Sequence, residues 1–417
     1  MKKVLIISYY WFPDKGVGHK RWSAFIKYFK RYGYDPIIYT RGKKSSIESI
    51  NNEYTLIRKK IFDPSLIFSK IFNSNYNRGV VDSSNSIFMN FFSWLRSSFF
   101  IPDTRLFWVN PSVNFLKQYI EENKIQIIVT TGPPHSIHMI GYKLKKLLKI
   151  KWISDFRDPY TNWDILLNMK PSSISKLRHK KYENLFLQNS DRVVVTNNTL
   201  LKEFSDQTLN KKIIYIPNGS ELKPLDKKSK NKYFIISYFG LINKFRDPHI
   251  FLSVVKKILE CNNEFKSKFK MIFSGPINNT TLNFINNDKI LSPHFKYYEH
   301  IDVLKLTTFI SDSSLLLLLL NNTKIQNTTP YKLFDYLVSK KKIITLCDFK
   351  NEDVTSFLKY YKQNDIVSYF NAEEIEKQIL DSFNSYILDK KIENQMNTSK
   401  VKFDSISRKM TNLFDNL

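Results

Sequence analysis

The sequence predicts an α/β fold with two Rossmann-like domains, and three observations support this. Short apolar runs alternate with segments of helical periodicity, as in parallel sheets covered by helices. The 417 residues suit two domains of about 200 residues each. The polar, lysine-rich stretch 220–232 has the composition of a linker. We expect a domain 1–217 and a domain 218–395, facing each other across a cleft, with a helix in 396–417 packing back on the first domain.

The apolar runs define the expected strands. They are residues 4–8, 36–40, 125–131, 152–155, 193–196 and 213–217 in the first half, and 234–240, 271–275, 295–298, 315–320 and 343–346 in the second. Helical stretches lie between them, for example 20–31, 136–148 and 173–188. The segment 86–101 departs from this rhythm because it is dominated by Phe and Trp, with Arg96 as its only charge. It is either a core helix or an aromatic loop that contacts a membrane or a lipid acceptor.

The composition is that of a packed protein with a strong basic excess: 65 Lys and Arg against 38 Asp and Glu, a net charge of +27. This charge indicates an anionic partner such as a phosphorylated substrate or a membrane face, or it is simply solvated surface. We expect no nucleic-acid partner, because no nucleic-acid-binding signature occurs. The two distant cysteines and the lack of a run of about 20 apolar residues predict a cytoplasmic protein, soluble or peripheral on the inner membrane face.

Ligands of open α/β sheets bind where strands end, so residues that follow strands are site candidates. After the first strand, Gly16 and Gly18 permit backbone amides to approach an anion or a sugar, although a plain glycine turn entering a helix fits equally. His135 follows the run 125–131 and is either a ligand contact or a structural histidine. The next strand is followed by three charged residues, Asp155, Arg157 and Asp158. Their side chains could bind sugar hydroxyls or act as a catalytic base, or they could form a salt-bridged turn.

The second half offers a candidate phosphate site. Gly240 ends a strand and is followed by Lys244 and Arg246, which suits a diphosphate because glycine permits close approach and cations balance its charge. After the leucine-rich strand, Lys332 and Asp335 stand three residues apart and would share one face of a helix.

These motifs, in this order, resemble the family-4 glycosyltransferases of bacterial surface-polysaccharide synthesis over almost the whole chain. The resemblance rests on the glycine turn, Gly132-Pro133-Pro134-His135-Ser136, the segments 152–159 and 216–219, Tyr238-Phe239-Gly240 with its cations, and the segment 330–337.

The resemblance implies a GT-B fold and a retaining hexosyl- or N-acetylhexosaminyl-transferase that needs no metal and no other cofactor. Its donor is a nucleotide sugar, expected to be a UDP-sugar, and its acceptor is a saccharide, expected to be lipid-linked. The family pattern has two glutamates where this chain has Asn327 and Asp335. Asp335 retains a carboxylate for the ribose, whereas Asn327 departs from the pattern.

The resulting assignment covers catalysis and both substrates. The catalytic candidates are His135, Lys244, Arg246 and Asp335; the donor candidates are Gly16, Gly18, Gly240, Asn327, Lys332 and Asp335; the acceptor candidates are Asp155, Arg157 and Asp158. Two alternatives stay open: a nucleotide-sugar 2-epimerase of the same fold, for which Asp155 and Asp158 could supply acid–base chemistry, and a transferase-like subunit without turnover.

Overall fold

The computed structural model describes residues 1–13, 17–60, 87–208, 212–225, 231–324, 328–389 and 397–417. Gly16 and Asn327 therefore lie outside the described residues, as does the start of the segment 86–101. The chain divides into two compact units at the boundary between Gly219 and Ser220. The first unit also contains Lys402–Leu417, and the second ends at Val401.

The first unit is built on an eight-stranded sheet in the order β3-β4-β2-β1-β5-β6-β7-β8. Its strands are β1 (Lys2–Ile7), β2 (Tyr34–Arg41), β3 (Ser46–Ile50), β4 (Tyr54–Lys59), β5 (Ile127–Gly132), β6 (Lys151–Phe156), β7 (Arg192–Val195) and β8 (Ile213–Tyr215). All pairings are parallel except that of β3 with β4, which is antiparallel. The strand order reverses between β1 and β5, which is where ligands bind in such sheets.

The second unit is built on a six-stranded, fully parallel sheet in the order β11-β10-β9-β12-β13-β14. The strands are β9 (Phe234–Phe239), β10 (Phe269–Ser274), β11 (Phe295–Tyr298), β12 (Leu315–Leu319), β13 (Lys342–Leu346) and β14 (Ile366–Val367). This is the Rossmann strand order, and its reversal falls between β9 and β12.

Helices connect the strands and cover the sheets. In the first unit they are α1 (Lys20–Phe29), α2 (Ile87–Phe99), α3 (Val109–Glu122), α4 (Ile137–Leu147), α5 (Asp164–Asn168), α6 (Ser173–Asn189) and α7 (Asn198–Gln207). In the second they are α8 (His249–Cys261), α9 (Asn263–Lys268), α10 (Asn279–Asn286), α11 (Val303–Asp312), α12 (Tyr331–Ser339), α13 (Glu352–Tyr360) and α14 (Ala372–Ile387). The last helix, α15 (Phe403–Asp415), returns to the first unit.

Helix α15 completes the core of the first unit by packing its aromatic face against α1. The rings of Phe25 and Phe403 meet edge-on with centroids 5.2 Å apart, and those of Phe29 and Phe414 with centroids 5.5 Å apart. The hydroxyl of Tyr34 donates to Asp415 at 2.6 Å. The C-terminal helix is therefore a structural part of the first unit.

The aromatic segment forms helix α2, so the expectation of an aromatic loop is replaced by a helix that exposes some of its rings. Phe91 and Phe99 are 52% and 67% exposed, and Trp94 lies half-buried between them. No helix in the described residues combines the length and apolar character needed to cross a membrane.

Candidate functional site

The glycine after β9 brings the backbone close to the shielded ammonium group of a half-buried lysine in the second unit. Gly240 has φ of 149°, a conformation that L side chains rarely adopt, and its N–H donates to the Ser274 carbonyl at 2.7 Å. A Cβ atom built at Gly240 would lie only 2.8 Å from Nζ of Lys332. Glycine is thus required both for the turn and for the approach of Lys332.

Lys332 lies in the first turn of α12 and directs its ammonium group toward the end of β9. Its Nζ lies 3.8 Å from the centre of the Tyr238 ring and is shielded from solvent. It makes no hydrogen bond to any residue described by the structure. Burial, and then the charge of Arg246, hold the pKa of Lys332 well below its usual value.

Arg246 places a second cation beside Lys332. Burial raises the pKa of Tyr238 to about 12, and the nearby Arg246 guanidinium acts in the opposite direction. Nε of Arg246 is buried without a hydrogen-bond partner in the described part of the chain. Lys244, by contrast, is exposed, with its Nζ 5.1 Å from the Phe245 ring centre. Of the two cations expected for a diphosphate, the structure therefore brings Arg246, and not Lys244, to Tyr238 and Lys332.

The loop that carries Arg246 is fixed by its own backbone. The Arg246 N–H donates to the Asn243 carbonyl at 2.9 Å, and the Phe245 N–H donates to the Asn243 side chain at 3.0 Å. The Asn322 N–H, which follows β12, donates to the Phe245 carbonyl at 2.7 Å. This hydrogen bond joins the segments that follow β9 and β12, where the strand order reverses. Arg246 follows β9 and Lys332 follows β12, so the two joined segments carry the cation pair.

Asp335 lies one turn further along α12 and is half-buried. Its Oδ1 accepts a hydrogen bond from the Ser220 hydroxyl at 2.5 Å. Ser220 in turn donates its N–H to the Val401 carbonyl at 2.7 Å. The carboxylate therefore holds a hydroxyl of its own chain here, and its role toward the ribose stays a prediction.

In the first unit, Asp155 forms a buried ion pair. Its Oδ2 accepts from Trp22 Nε1 at 2.7 Å and from the Thr131 hydroxyl at 2.8 Å, and Arg21 Nε lies 3.3 Å from Oδ1. Arg21 also donates to the carbonyls of Ile216 and Pro217, both at 2.8 Å. These contacts are entirely buried. Asp155 therefore stabilises the carboxyl ends of the central strands and, through Arg21, the motif 216–219.

Arg157, which follows β6, binds backbone carbonyls in the segment that follows β1 and at the end of β5. It donates to Gly18 at 2.5 Å, to Pro133 at 2.7 Å and to Gly132 at 3.2 Å. Asp158 differs from its neighbours, because within the described residues its carboxylate has neither a hydrogen bond nor an ion pair, while burial raises its pKa. Of the three expected acceptor contacts, Asp158 has the carboxylate that is not committed to the protein interior.

His135 is buried among aromatic rings at the start of α4. Its ring stacks on Tyr160 with centroids 4.7 Å apart, and Nε2 lies 3.2 Å from the Pro159 carbonyl. Burial lowers the pKa of His135 to about 3, so the imidazole is neutral near pH 7. A neutral, enclosed ring suits a packing role, and the predicted catalytic role is untested.

Two residues that the sequence does not single out hold the start of α4. Asp103 accepts from the N–H and the hydroxyl of Ser136, both at 2.8 Å, and thereby holds the start of α4. His138 contacts the Thr130 hydroxyl through Nδ1 at 2.8 Å. Neither a carboxylate that follows the segment 86–101 nor a histidine inside the predicted helix 136–148 carries a local signal of these contacts. Within the described ranges, no group of three His, Cys, Asp or Glu side chains is placed to hold a metal ion.

Comparison with solved structures identifies the fold. The chain is similar to sucrose-phosphate synthase from Thermosynechococcus elongatus, with a TM-score of 0.67, 12% identity and coverage of 100% of this chain and 99% of that one. It is also similar to Anabaena Alr3699/HepE solved with UDP (TM-score 0.63, 10% identity, 100% of both chains). It is similar as well to a TarM mutant from S. aureus that was solved with fondaparinux, α-GlcNAc-glycerol and UDP. Here the TM-score is 0.61 and the identity 13%, with coverage of 100% of both chains.

No family model and no curated protein sequence matches the chain. At these identities the structural likeness is one of fold, and it extends over both units. The chain therefore has the GT-B fold, with two Rossmann-like domains built on mainly parallel sheets.

Proposed function

We propose that the protein is a glycosyltransferase that moves a sugar from a nucleotide-sugar donor, expected to be UDP-linked, to a saccharide acceptor. One observation carries this proposal: the shielded Lys332 ammonium next to Arg246 at the Gly240 turn. Arg246 and Lys332 are neighbouring cations, and the Lys332 ammonium has no hydrogen-bond partner within the described ranges, which is unfavourable without an anion. A nucleoside diphosphate is an anion of suitable charge for a strand end of this kind.

The cation pair explains how the site would assist the reaction. When the bond between the sugar and the diphosphate breaks, negative charge grows on the leaving oxygen. In this proposal Lys332 and Arg246 lie beside that charge before the bond breaks, so little reorganisation is needed to stabilise it. Retention of anomeric configuration, without a protein nucleophile, is what the family-4 resemblance implies.

On the acceptor side we assign Asp158. Burial raises its carboxyl pKa, and the described residues offer its carboxylate neither a hydrogen bond nor an ion pair, which suits a contact to an acceptor hydroxyl. The HepE and TarM structures contain UDP, and the TarM structure also contains saccharide ligands, which supports this class of substrates. A lipid-linked acceptor, a role in surface-polysaccharide synthesis and a cytoplasmic location are part of the proposal through the resemblance.

A thermal-shift panel of nucleoside diphosphates tests the donor site. UDP should raise the melting temperature more than uridine, because the cation pair acts on the diphosphate. Lack of stabilisation by UDP and by every other nucleoside diphosphate would remove the donor assignment.

Incubation with UDP-sugars then separates the reaction types. A transferase releases UDP slowly in the absence of an acceptor and faster when a suitable saccharide is added. A new sugar nucleotide formed without any acceptor would instead identify an epimerase. Tight UDP binding without turnover on any acceptor would indicate a non-catalytic subunit.

A further inference from the structure

We propose that the outer side of α6, together with the end of α2, is a docking face for an anionic phospholipid surface. We call it the basic-apolar face; it consists of Phe99, Ile174, Leu177, Lys170, Arg178 and Lys181. The inference goes beyond sugar transfer, and it requires neither a donor nor an acceptor.

The first observation is that α6 exposes aliphatic residues on the side away from the core. Ile174 and Leu177 are 66% and 72% exposed, although a surface helix normally turns polar residues outward. The opposite side of the helix is occupied by buried Ser175 and His179. Residues 174, 177, 178 and 181 follow the spacing of one helical stripe, so Ile174 and Leu177 share that stripe with Arg178 and Lys181.

The second observation is that α2 is fixed beside the start of α6. The Ser98 carbonyl accepts from the Ser175 hydroxyl at 2.9 Å, and the Ser98 hydroxyl accepts from the Ser172 N–H at 3.2 Å. Phe99, which is 67% exposed, follows Ser98 directly. The exposed ring and the aliphatic residues at the start of α6 are therefore held in one rigid region of the first unit.

The third observation is the charge around this apolar region. Residues 165–182 contain five cations (Lys170, Lys176, Arg178, Lys180 and Lys181) and no acidic residue. Residues 87–102 contain Arg96 and no acidic residue. Lys180 is paired with Glu183, whereas Lys170, Lys176, Arg178 and Lys181 are exposed.

Charge of a single sign around exposed apolar side chains selects the partner. Cations attract anionic lipid headgroups, while Ile, Leu and Phe enter the boundary between headgroups and acyl chains. A second copy of the same face would bring cations against cations, which disfavours self-association. An anionic bilayer satisfies both the charge and the apolar surface.

Vesicle co-sedimentation at low ionic strength tests the proposal. The wild type should bind vesicles of equimolar phosphatidylcholine and phosphatidylglycerol and be released by salt, and it should not bind phosphatidylcholine alone. Arg178→Glu/Lys181→Glu should lower the partition coefficient at least about 25-fold, because each of the two lost cations contributes about a factor of five near an anionic surface. Lys117→Glu/Lys149→Glu, at exposed lysines of the same unit, is the matched control for net charge.

Ile174→Ser/Leu177→Ser tests the apolar part, with Leu147→Ser, at a 55% exposed leucine, as its control. The double variant should lose about tenfold or more in vesicle binding with an unchanged melting temperature, because both side chains are exposed. Wild-type protein that ignores anionic vesicles, or a double variant that binds as the wild type does, would overturn the proposal. So would a double variant that loses self-association instead, because the face would then be an interface between copies.

Discussion

Replacing Lys332 by Met should change folding stability and ligand binding in opposite directions. Met has a similar length and lacks the charge, so the variant removes a shielded ammonium that has no hydrogen-bond partner in the described residues. A buried unsatisfied polar group costs about 1–3 kcal/mol, so the unliganded variant should gain a free energy of unfolding of that order. A hydrogen bond to a charged group contributes roughly 1.5–3 kcal/mol, so UDP binding should weaken about 10- to 150-fold.

The pH dependence gives this prediction a second readout. Because the pKa of Lys332 is held well below 10.5, the unfolded chain binds more protons than the folded one at pH values between the two pKa values. The wild-type free energy of unfolding therefore gains a contribution that rises with pH in that interval. Lys332→Met lacks this contribution, so its stability advantage should shrink as the pH approaches 10.5.

Urea unfolding of the unliganded proteins and calorimetric titration with UDP measure both effects. Lys266→Met, at an exposed lysine of the same unit, is the control and should change neither stability nor affinity. A less stable Lys332→Met variant would refute the claim that the lysine is strained without its ligand. Unchanged UDP affinity would show that the diphosphate does not lie at Gly240.

Three further substitutions test individual assignments. Arg246→Gln should weaken UDP binding about tenfold or more, whereas Lys244→Gln should do so less, because only Arg246 is shielded beside Lys332; equal effects in calorimetry would contradict this. Asp155→Asn breaks the buried ion pair with Arg21 and should lower the free energy of unfolding in urea by about 3–5 kcal/mol. A decrease of less than about 1 kcal/mol would show that the ion pair is dispensable for stability. Because burial lowers the pKa of His135 to about 3, this residue makes the free energy of unfolding fall as the pH drops from 6.5 toward 3. His135→Phe should reduce this fall by up to about 1.4 kcal/mol per pH unit and should retain turnover. Loss of turnover would instead support a catalytic role.

The central parallel strands could be predicted from sequence because they are buried on both faces. The run 315–320 is all leucine, and the structure forms β12 (Leu315–Leu319) there. The edge strand β3 and its neighbour β4 were missed, because β3 faces water. In β3, Ile47 is 58% exposed and polar residues surround it. The hydrophobic pattern therefore located the central strands and the edge strands β8 and β11, but not β3, β4 or the two-residue strand β14.

The sequence indicates which candidate site residues follow a strand, but it does not indicate which side chains they contact. The sequence indicates that Asp155 follows a strand, but nothing local indicates that Arg21, far earlier in the chain, pairs with it. Likewise, Lys332 was one of several candidate cations, and only the folded chain shows its Nζ against Gly240. Such contacts depend on the topology of the sheet, which brings distant segments together.

The return of α15 to the first unit has a consequence for folding during synthesis. Phe25 and Phe29 of α1 acquire their aromatic partners Phe403 and Phe414 only after Ser220–Val401 has been translated. At about 5–20 residues per second, this delay lasts roughly ten to forty seconds. The first unit to begin translation is thus the last to be completed, and until then the apolar side of α1 is open to chaperones on the growing chain.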